Sequence, residues 1–226
     1  MIKVLAIDLD DTFYMTEEVA YNLENQALDD IGIEKFSREI HIKTWGEPLF
    51  SAIKKRSPGI DVVAFEESFR NRLKEFIFEG KIDQFSKDNC SALDKLIELG
   101  YRIAVLTSRS KSEVEHLLRD NHHLGSRIGN FYHMDNNPSH KPDPKSFDLL
   151  LRDFRAEPHE CVYVGDSLGD AKASKSAGLY FFASLESGLR DKIDFENLNC
   201  EPDGYLEKFS DIVDALENLN NFLRLT

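Results

Sequence analysis

The run Val4-Leu5-Ala6-Ile7 stops abruptly at Asp8-Leu9-Asp10-Asp11-Thr12. Four apolar residues without alternation suit a strand buried on both faces. Three carboxylates within four residues repel one another, so stability alone does not place them at the mouth of a buried strand. A divalent cation beside them reverses the sign of that argument. In open α/β sheets ligands gather beyond the carboxyl ends of the strands, where Asp8 and Asp10 would lie. By itself the stretch reads equally well as an acidic loop, and the rest of the chain has to decide.

From Thr16 the pattern turns helical. Thr16 is placed to cap a helix over Glu17–Ile31, with Val19, Leu23, Ala27, Leu28 and Ile31 on one face and Gly32 as its stop. Further helices are expected near Ser37–Lys43, Pro48–Lys55 and Val62–Phe78. About seventy helical residues are too many for a crossover between two strands. They read as an inserted helical domain, residues 16–86, interrupting a core made of 1–15 and 87–226, with hinges near Phe13–Met15 and Ile82–Lys87.

An α/β alternation then resumes. A helix ends at Gly100, and Tyr101–Thr107 is a strand. Ser110-Lys111-Ser112-Glu113 has the form of a capping box, starting a helix that runs to His116–Asn121. Phe131–Met134 is a short strand, and Asp143-Pro144 opens a helix over Lys145–Phe154. The strand Cys161–Val164 runs into Gly165-Asp166-Ser167-Leu168-Gly169-Asp170. A helix to Ala177, a strand at Tyr180–Ala183 and a last helix over Ser210–Asn220 complete the reading. Repeated strand–helix units imply an α/β fold: a parallel sheet covered on both faces, joined by right-handed crossovers.

Charge narrows the partners. A formal net charge of -13 disfavours nucleic acid, which it would repel at long range. Cys90, Cys161 and Cys200 are widely spaced and form no CxxC pair, as expected of reduced thiols in a cytoplasmic protein. No apolar run approaches a signal or membrane-spanning length, so no membrane partner is expected.

Polar groups follow three of the expected strands directly: Asp8/Asp10/Thr12, Thr107/Ser108/Arg109 and Asp166/Asp170. Lys141 precedes a helix. A parallel sheet delivers all its strand ends to one edge, so these distant residues can meet. Together they make a coherent phosphoryl-transfer set. Asp8 is the candidate nucleophile, and Asp10 is placed to exchange a proton with the leaving group. Asp166 and Asp170 help to hold Mg²⁺, while Thr107 and Lys141 grip phosphoryl oxygens. Thr12, Ser108 and Arg109 are the further candidates for contact with substrate.

In order along the chain, Asp8-x-Asp10-x-Thr12, Thr107, Lys141-Pro142-Asp143-Pro144 and Gly165-Asp166-x-x-x-Asp170 resemble the four motifs of the haloacid dehalogenase superfamily phosphohydrolases. The helical insertion resembles that family's C1-type cap, so the likeness spans essentially the whole chain. It implies a Rossmann-like core, Mg²⁺ as cofactor and an aspartyl-phosphate at Asp8 that water then hydrolyses. It also implies a metal site made of the Asp8 carboxylate, the Asp10 backbone carbonyl and Asp166, with Asp170 assisting. A carboxylate at position 10 points to phosphate rather than halide chemistry.

The resemblance implies a small phosphorylated metabolite as substrate, with phosphoglycolate, sugar phosphates and nucleoside monophosphates all open. Trp45-Gly46-Glu47-Pro48 resembles the loop by which phosphoglycolate-phosphatase-like caps select substrates, which makes Gly46 and Glu47 candidates; it is equally a helix start with proline at its first position. Arg109 pairs with an anionic substrate group or forms a surface salt bridge. Lys54-Lys55-Arg56 reads as a solvated helix end. A phosphomutase of the β-phosphoglucomutase type, or a non-catalytic binding protein on the same fold, are the alternatives.

Overall fold

The computed structural model describes residues 1–119, 122–196 and 200–225. The chain divides into two compact units, Met1–Phe13 with Phe85–Thr226, and Tyr14–Gln84.

In the first unit the apolar run forms β1 (Val4–Ile7), with all four residues buried. It sits in the middle of a six-stranded sheet with β2 (Arg102–Leu106), β3 (Asn130–Tyr132), β4 (Cys161–Gly165), β5 (Tyr180–Ser184) and β6 (Gly204–Leu206). The order is β3-β2-β1-β4-β5-β6, and every pairing is parallel. Ile7 is in register with Val105 of β2 and with Val164 of β4. Later strands extend the sheet first on one side of β1 and then on the other. The chain reversal at β1 is the crevice where α/β sheets receive ligands.

One apolar cluster joins Val4, Ala6, Ala104, Leu106, Cys161, Tyr163 and Phe181 of the strands to Phe147, Leu150, Phe154, Ala171 and Ala173 from the segments between them. These segments are a 3₁₀ turn (Pro144–Phe147) and the helices at Asp148–Phe154 and Leu168–Ser176. Burying each large side chain of this kind is worth about 1.5–3 kcal/mol.

The second unit holds α1 (Glu17–Asp30), α2 (Arg38–Lys43), α3 (Leu49–Arg56) and α4 (Val62–Phe78). Its core is Leu23, Ala27, Leu28, Phe36, Ile53, Phe65, Phe69, Leu73 and Phe76. Asp61 caps α4 by accepting hydrogen bonds from the Val63 and Ala64 amides. Where the chain enters and leaves, the Met15 amide donates to the Gln84 carbonyl.

A charged network lies inside this unit. His41 is fully buried between Glu17 (Nδ1 to Oε1, 2.9 Å) and Glu24 (Nε2 to Oε1, 3.3 Å). Arg56 is ion-paired with Glu24 and donates to the Thr44 hydroxyl at 2.8 Å. The solvated helix end expected at 54–56 is therefore wrong for Arg56, which is buried. Helical spacing turns it inward, and the carboxylate that neutralises it lies on α1.

The remaining helices are α5 (Lys87–Glu98), α6 (Lys111–Val114), α7 (Asp148–Phe154), α8 (Leu168–Ser176), α9 (Lys192–Glu196) and α10 (Ile212–Leu225). Several sequence expectations need correction. Thr16 stands at the start of α1, but its hydroxyl donates to the Tyr14 carbonyl at 3.5 Å and does not cap the helix. Glu113 accepts from the Ser110 amide at 2.8 Å, the carboxylate half of the capping box, yet α6 ends at Val114. Leu117 and Leu124 are both fully buried, and the turns after Val114 bring both inward; Asn121, the expected end, lies outside the described residues. The helix expected over Lys145–Phe154 opens as the 3₁₀ turn before α7, and β3 ends at Tyr132, short of Met134. The last helix begins at Ile212 and runs on to Leu225. Two elements, α9 and β6, carry no periodicity long enough to be expected from sequence.

Candidate active site

Because Ile7 is level with Val105 and Val164, the residues after β1, β2 and β4 emerge at one edge. Asp8, Thr107 and Asp166 all stand there and all are buried. Asp8 continues the alternation of Val4 and Ala6 toward the apolar cluster. Its backbone amide stays in the sheet, donating to the Val164 carbonyl at 2.9 Å. Beyond it the chain turns sharply, with the Phe13 amide donating to the Leu9 carbonyl at 3.0 Å. Asp11 is left-handed in this turn at φ 52°, a conformation that aspartate tolerates better than most residues.

Both oxygens of Asp8 are held. Oδ1 accepts from the Leu9 amide at 2.8 Å, and Oδ2 faces Lys141 Nζ at 2.9 Å. The same ammonium lies 2.6 Å from Asp170 Oδ1 and donates to the Tyr163 hydroxyl at 2.8 Å. An ammonium has three N–H groups, and here each has an acceptor.

Asp170 is fully buried. Its other oxygen, Oδ2, accepts from the Ser167 amide at 3.0 Å and the Ser167 hydroxyl at 2.6 Å, so Asp170 closes the capping box that starts α8. A Cβ on Gly165 would sit 2.6 Å from the Asp170 carboxyl carbon, so only glycine lets this carboxylate approach the end of β4. Among the described residues no hydrogen bond or ion pair engages Asp166.

Asp8, Asp166 and Asp170 each offer a carboxylate oxygen within 4.8 Å of the others. An all-oxygen, buried donor set of this kind suits a hard divalent cation. Burial, opposed by Lys141 and reinforced by Asp170 and Asp10, pushes the Asp8 carboxyl up to about 7. Asp166 is raised well above the carboxylate range by burial, then by the charges of Asp170, Asp11 and Asp8. For Lys141 burial opposes the charged form, but Asp170 and Asp8 outweigh it and raise the ammonium above its ordinary value. One ammonium is thus set against three crowded carboxylates, and a divalent cation would relieve the remaining repulsion.

Asp10 faces a different partner. Arg109, itself buried, forks onto its carboxylate, with Nε 3.0 and 3.1 Å from the two oxygens and Nη2 2.6 Å from Oδ1. This pair ties the loop after β1 to the loop after β2, and within the latter the Arg109 amide donates to the Thr107 hydroxyl at 3.2 Å. The surface salt bridge considered for Arg109 is therefore a buried one. Thr12 is fully buried, and its hydroxyl oxygen has no hydrogen-bond partner among the described residues. Ser108 is half-buried beside Thr107.

Gly46 and Glu47 belong to the helical unit. Gly46 adopts φ 86°, where a side chain is strained, and the Glu47 carboxylate is paired with Lys55 at 2.7 Å. Tyr163 and Ser167 are polar partners of this site that motif reading passes over. The Ser167-x-x-Asp170 spacing is the pattern by which a capping box can be found in sequence, whereas Tyr163 is one more residue of an apolar strand.

The model of the haloacid dehalogenase-like hydrolases matches residues 5–184, an interval that contains Asp8, Thr107, Lys141 and Asp166. The chain belongs to that family. A phosphoglycolate phosphatase of Nitrosospira multiformis is 25% identical over 211 residues, covering 88% of this chain and 90% of the relative. The pyrophosphatase PpaX of Bacillus velezensis is 28% identical over 224 residues, covering 94% and 95%. A glyceraldehyde 3-phosphate phosphatase of Methanopyrus kandleri is 26% identical over 247 residues, covering 97% and 99%. Among solved structures, a haloacid dehalogenase-like hydrolase from Bacteroides fragilis superposes with a TM-score of 0.80 at 20% identity, covering 94% of this chain and all 100% of that one. CbbY from Rhodobacter sphaeroides, in complex with phosphate, superposes with a TM-score of 0.76 at 22% identity, covering 94% and 96%. These structures share the Rossmann-like α/β fold. The chain is an enzyme of the haloacid dehalogenase phosphatase type. No helix among the described residues is long and apolar enough to cross a membrane.

Proposed function

We propose that the protein is a Mg²⁺-dependent phosphomonoester hydrolase, acting on a small phosphorylated metabolite through an aspartyl-phosphate at Asp8. The observation that carries this reading is the convergence on Asp8: Lys141 at 2.9 Å, and the Asp166 and Asp170 oxygens within 4.8 Å. The named relatives act on phosphoglycolate, pyrophosphate or glyceraldehyde 3-phosphate, which supports a small substrate. Phosphoglycolate, sugar phosphates and nucleoside monophosphates are the classes to test.

An Asp8 oxygen attacks phosphorus as the bond to the leaving oxygen breaks, and Asp10 gives that oxygen a proton. Water then attacks the aspartyl-phosphate, Asp10 takes its proton, and Asp8 is regenerated with release of inorganic phosphate. The two hydrogen bonds to Asp8 hold its carboxylate in one orientation before reaction, which reduces the entropic cost of attack. Lys141 offsets negative charge beside the phosphoryl group, while Thr12, Thr107 and Ser108 supply hydroxyl donors to its oxygens. Mg²⁺, held by Asp8, Asp166 and the Asp10 carbonyl with Asp170 beside them, would screen the phosphoryl charge from the attacking carboxylate. Arg109 aligns Asp10 and is available to an anionic substrate group.

The core groups meet only the phosphoryl group, which every phosphomonoester shares. Discrimination is therefore assigned to the helical unit acting as a cap over residues 16–86, with Gly46 and Glu47 as its contacting loop. The deciding experiment is a phosphate-release screen over phosphorylated metabolites with Mg²⁺, using Asp8→Asn as the blank. Release that disappears in Asp8→Asn and in chelator supports the reading; ordinary turnover by Asp8→Asn refutes it. Net release of phosphate also separates hydrolysis from a mutase reaction.

A further inference from the structure

We infer that Tyr163 is a positioning residue for Lys141, an inference that rests on the phosphohydrolase reading for its kinetic consequence but not for its structural one. Tyr163 is the third residue of β4 and is completely buried, so the bland expectation is a packing role. Its ring does pack, edge-on to Phe147 at 5.0 Å. Its hydroxyl does something else.

A phenol has one proton to donate and lone pairs that accept. The hydroxyl donates to the Leu106 carbonyl at 2.9 Å, in the residue before Thr107. Asp170 Oδ1 is a second, longer acceptor for the same proton at 3.3 Å, and with the proton spent on these two oxygens the lone pairs are left to accept from Lys141 Nζ at 2.8 Å. The hydroxyl therefore reaches from β4, past β1, to the end of β2, and it fixes the ammonium from below. Burial and the neighbouring Asp170 and Asp8 charges raise the phenol well above its usual range, which keeps it a neutral acceptor.

The arrangement decides where Lys141 points. Its other two N–H groups go to Asp8 and Asp170, whose negative charges would each draw it toward themselves. A third acceptor without charge, held by a backbone carbonyl, stops the ammonium from collapsing onto either carboxylate. Lys141 stays where it meets Asp8 Oδ2 and where charge grows during phosphoryl transfer. Removing the hydroxyl orphans one buried N–H of a cation, and that desolvation is relieved only if the lysine moves.

The test compares wild type, Tyr163→Phe, Lys141→Met and the double variant, all in the full chain. Tyr163→Phe should lower kcat by about 10–100-fold, the usual cost of losing an outer partner of a site group, with KM changed less than about threefold. In the Lys141→Met background the same substitution should cost less than about threefold, because a group acting through Lys141 has nothing left to act on. A role that bypasses Lys141, through the Leu106 carbonyl or the Asp170 carboxylate, predicts the same loss in both backgrounds. Independently of turnover, the Lys141 ammonium hydrogens in protein labelled with ¹⁵N-lysine should exchange with water at least about tenfold faster in Tyr163→Phe. Unchanged exchange, or equal losses in the two backgrounds, overturns the inference. Faster exchange in a protein that hydrolyses no phosphoester upholds the positioning role and refutes the proposed function instead.

Discussion

Replacing Lys141 with methionine keeps most of the side chain and removes the one ammonium set against three carboxylates. The Asp8, Asp166 and Asp170 oxygens lie within 4.8 Å of one another, so each ionised pair repels by at least roughly 3.5 kcal/mol at an effective dielectric of about 20. Three such pairs amount to roughly 10 kcal/mol. Lys141, at 2.9 Å from Asp8 and 2.6 Å from Asp170, attracts each by roughly 6 kcal/mol on the same scale. The ammonium therefore about balances the repulsion, and without it the carboxylates must take up protons to remain buried. Proton uptake limits the measurable loss to about 3–5 kcal/mol, the usual result of breaking a buried pair from one side. Protons are scarcer at high pH, so the loss should be larger at pH 8 than at pH 5. The assay is equilibrium urea unfolding of wild type and Lys141→Met, in chelator and then in excess Mg²⁺. Mg²⁺ should recover more stability in the variant than in wild type, because it supplies the charge that was removed. A loss below about 1 kcal/mol, or one that is the same at both pH values, would refute this electrostatic account.

Four further outcomes follow from the same geometry. Asp166→Asn should weaken Mg²⁺ binding far more than Asp170→Asn, since both Asp170 oxygens are already engaged by Lys141 and Ser167; calorimetric titration that ranks them the other way assigns the metal to Asp170. In metal-free protein the Asp8 carboxyl, raised to about 7 from an ordinary 3.8, binds a proton that the unfolded chain lacks. Its contribution to stability is therefore full below about pH 4 and lost as pH rises to about 7; the difference in urea midpoint between wild type and Asp8→Asn should follow that window and flatten with Mg²⁺. Glu47→Ala should change the ratios of kcat/KM among substrates by roughly 1–3 kcal/mol with little effect on a small aryl phosphate, and an equal proportional loss on every substrate removes Glu47 from specificity. His41→Leu should destabilise the protein by about 1–3 kcal/mol, because Glu17 and Glu24 each lose a buried hydrogen-bond partner while keeping Arg38 and Arg56; a thermal midpoint unchanged from wild type would show the His41 contacts to be dispensable.

What the sequence by itself determined is local. The apolar run of β1, the strand–helix alternation and the acids beyond Ile7 and Gly165 are each legible within a dozen residues, because burial and periodicity are written along the chain. Those features were enough for a parallel α/β sheet, and for Asp8, Thr107 and Asp166 to fall on one edge of it. The exact ends of helices were less legible. Ser110 and Glu113 signal a start correctly, but the end of α6 depends on how Leu117 and Leu124 reach the core.

Only the tertiary structure decided which polar groups meet. Tyr163 reads as one more apolar-strand residue until β1 is placed between β2 and β4, which brings the Leu106 carbonyl within 2.9 Å of its hydroxyl. Arg109 reads as a substrate contact or a surface charge, yet it is buried against Asp10, 99 residues away. Arg56 reads as a solvated helix end until α1 presents Glu24. The reason is the same in each case. Hydrophobic periodicity sets the side of an element a residue occupies, whereas a hydrogen bond or ion pair needs a partner at a specific point in space. That point is set by the order of strands and the packing of helices, which no short stretch of sequence contains.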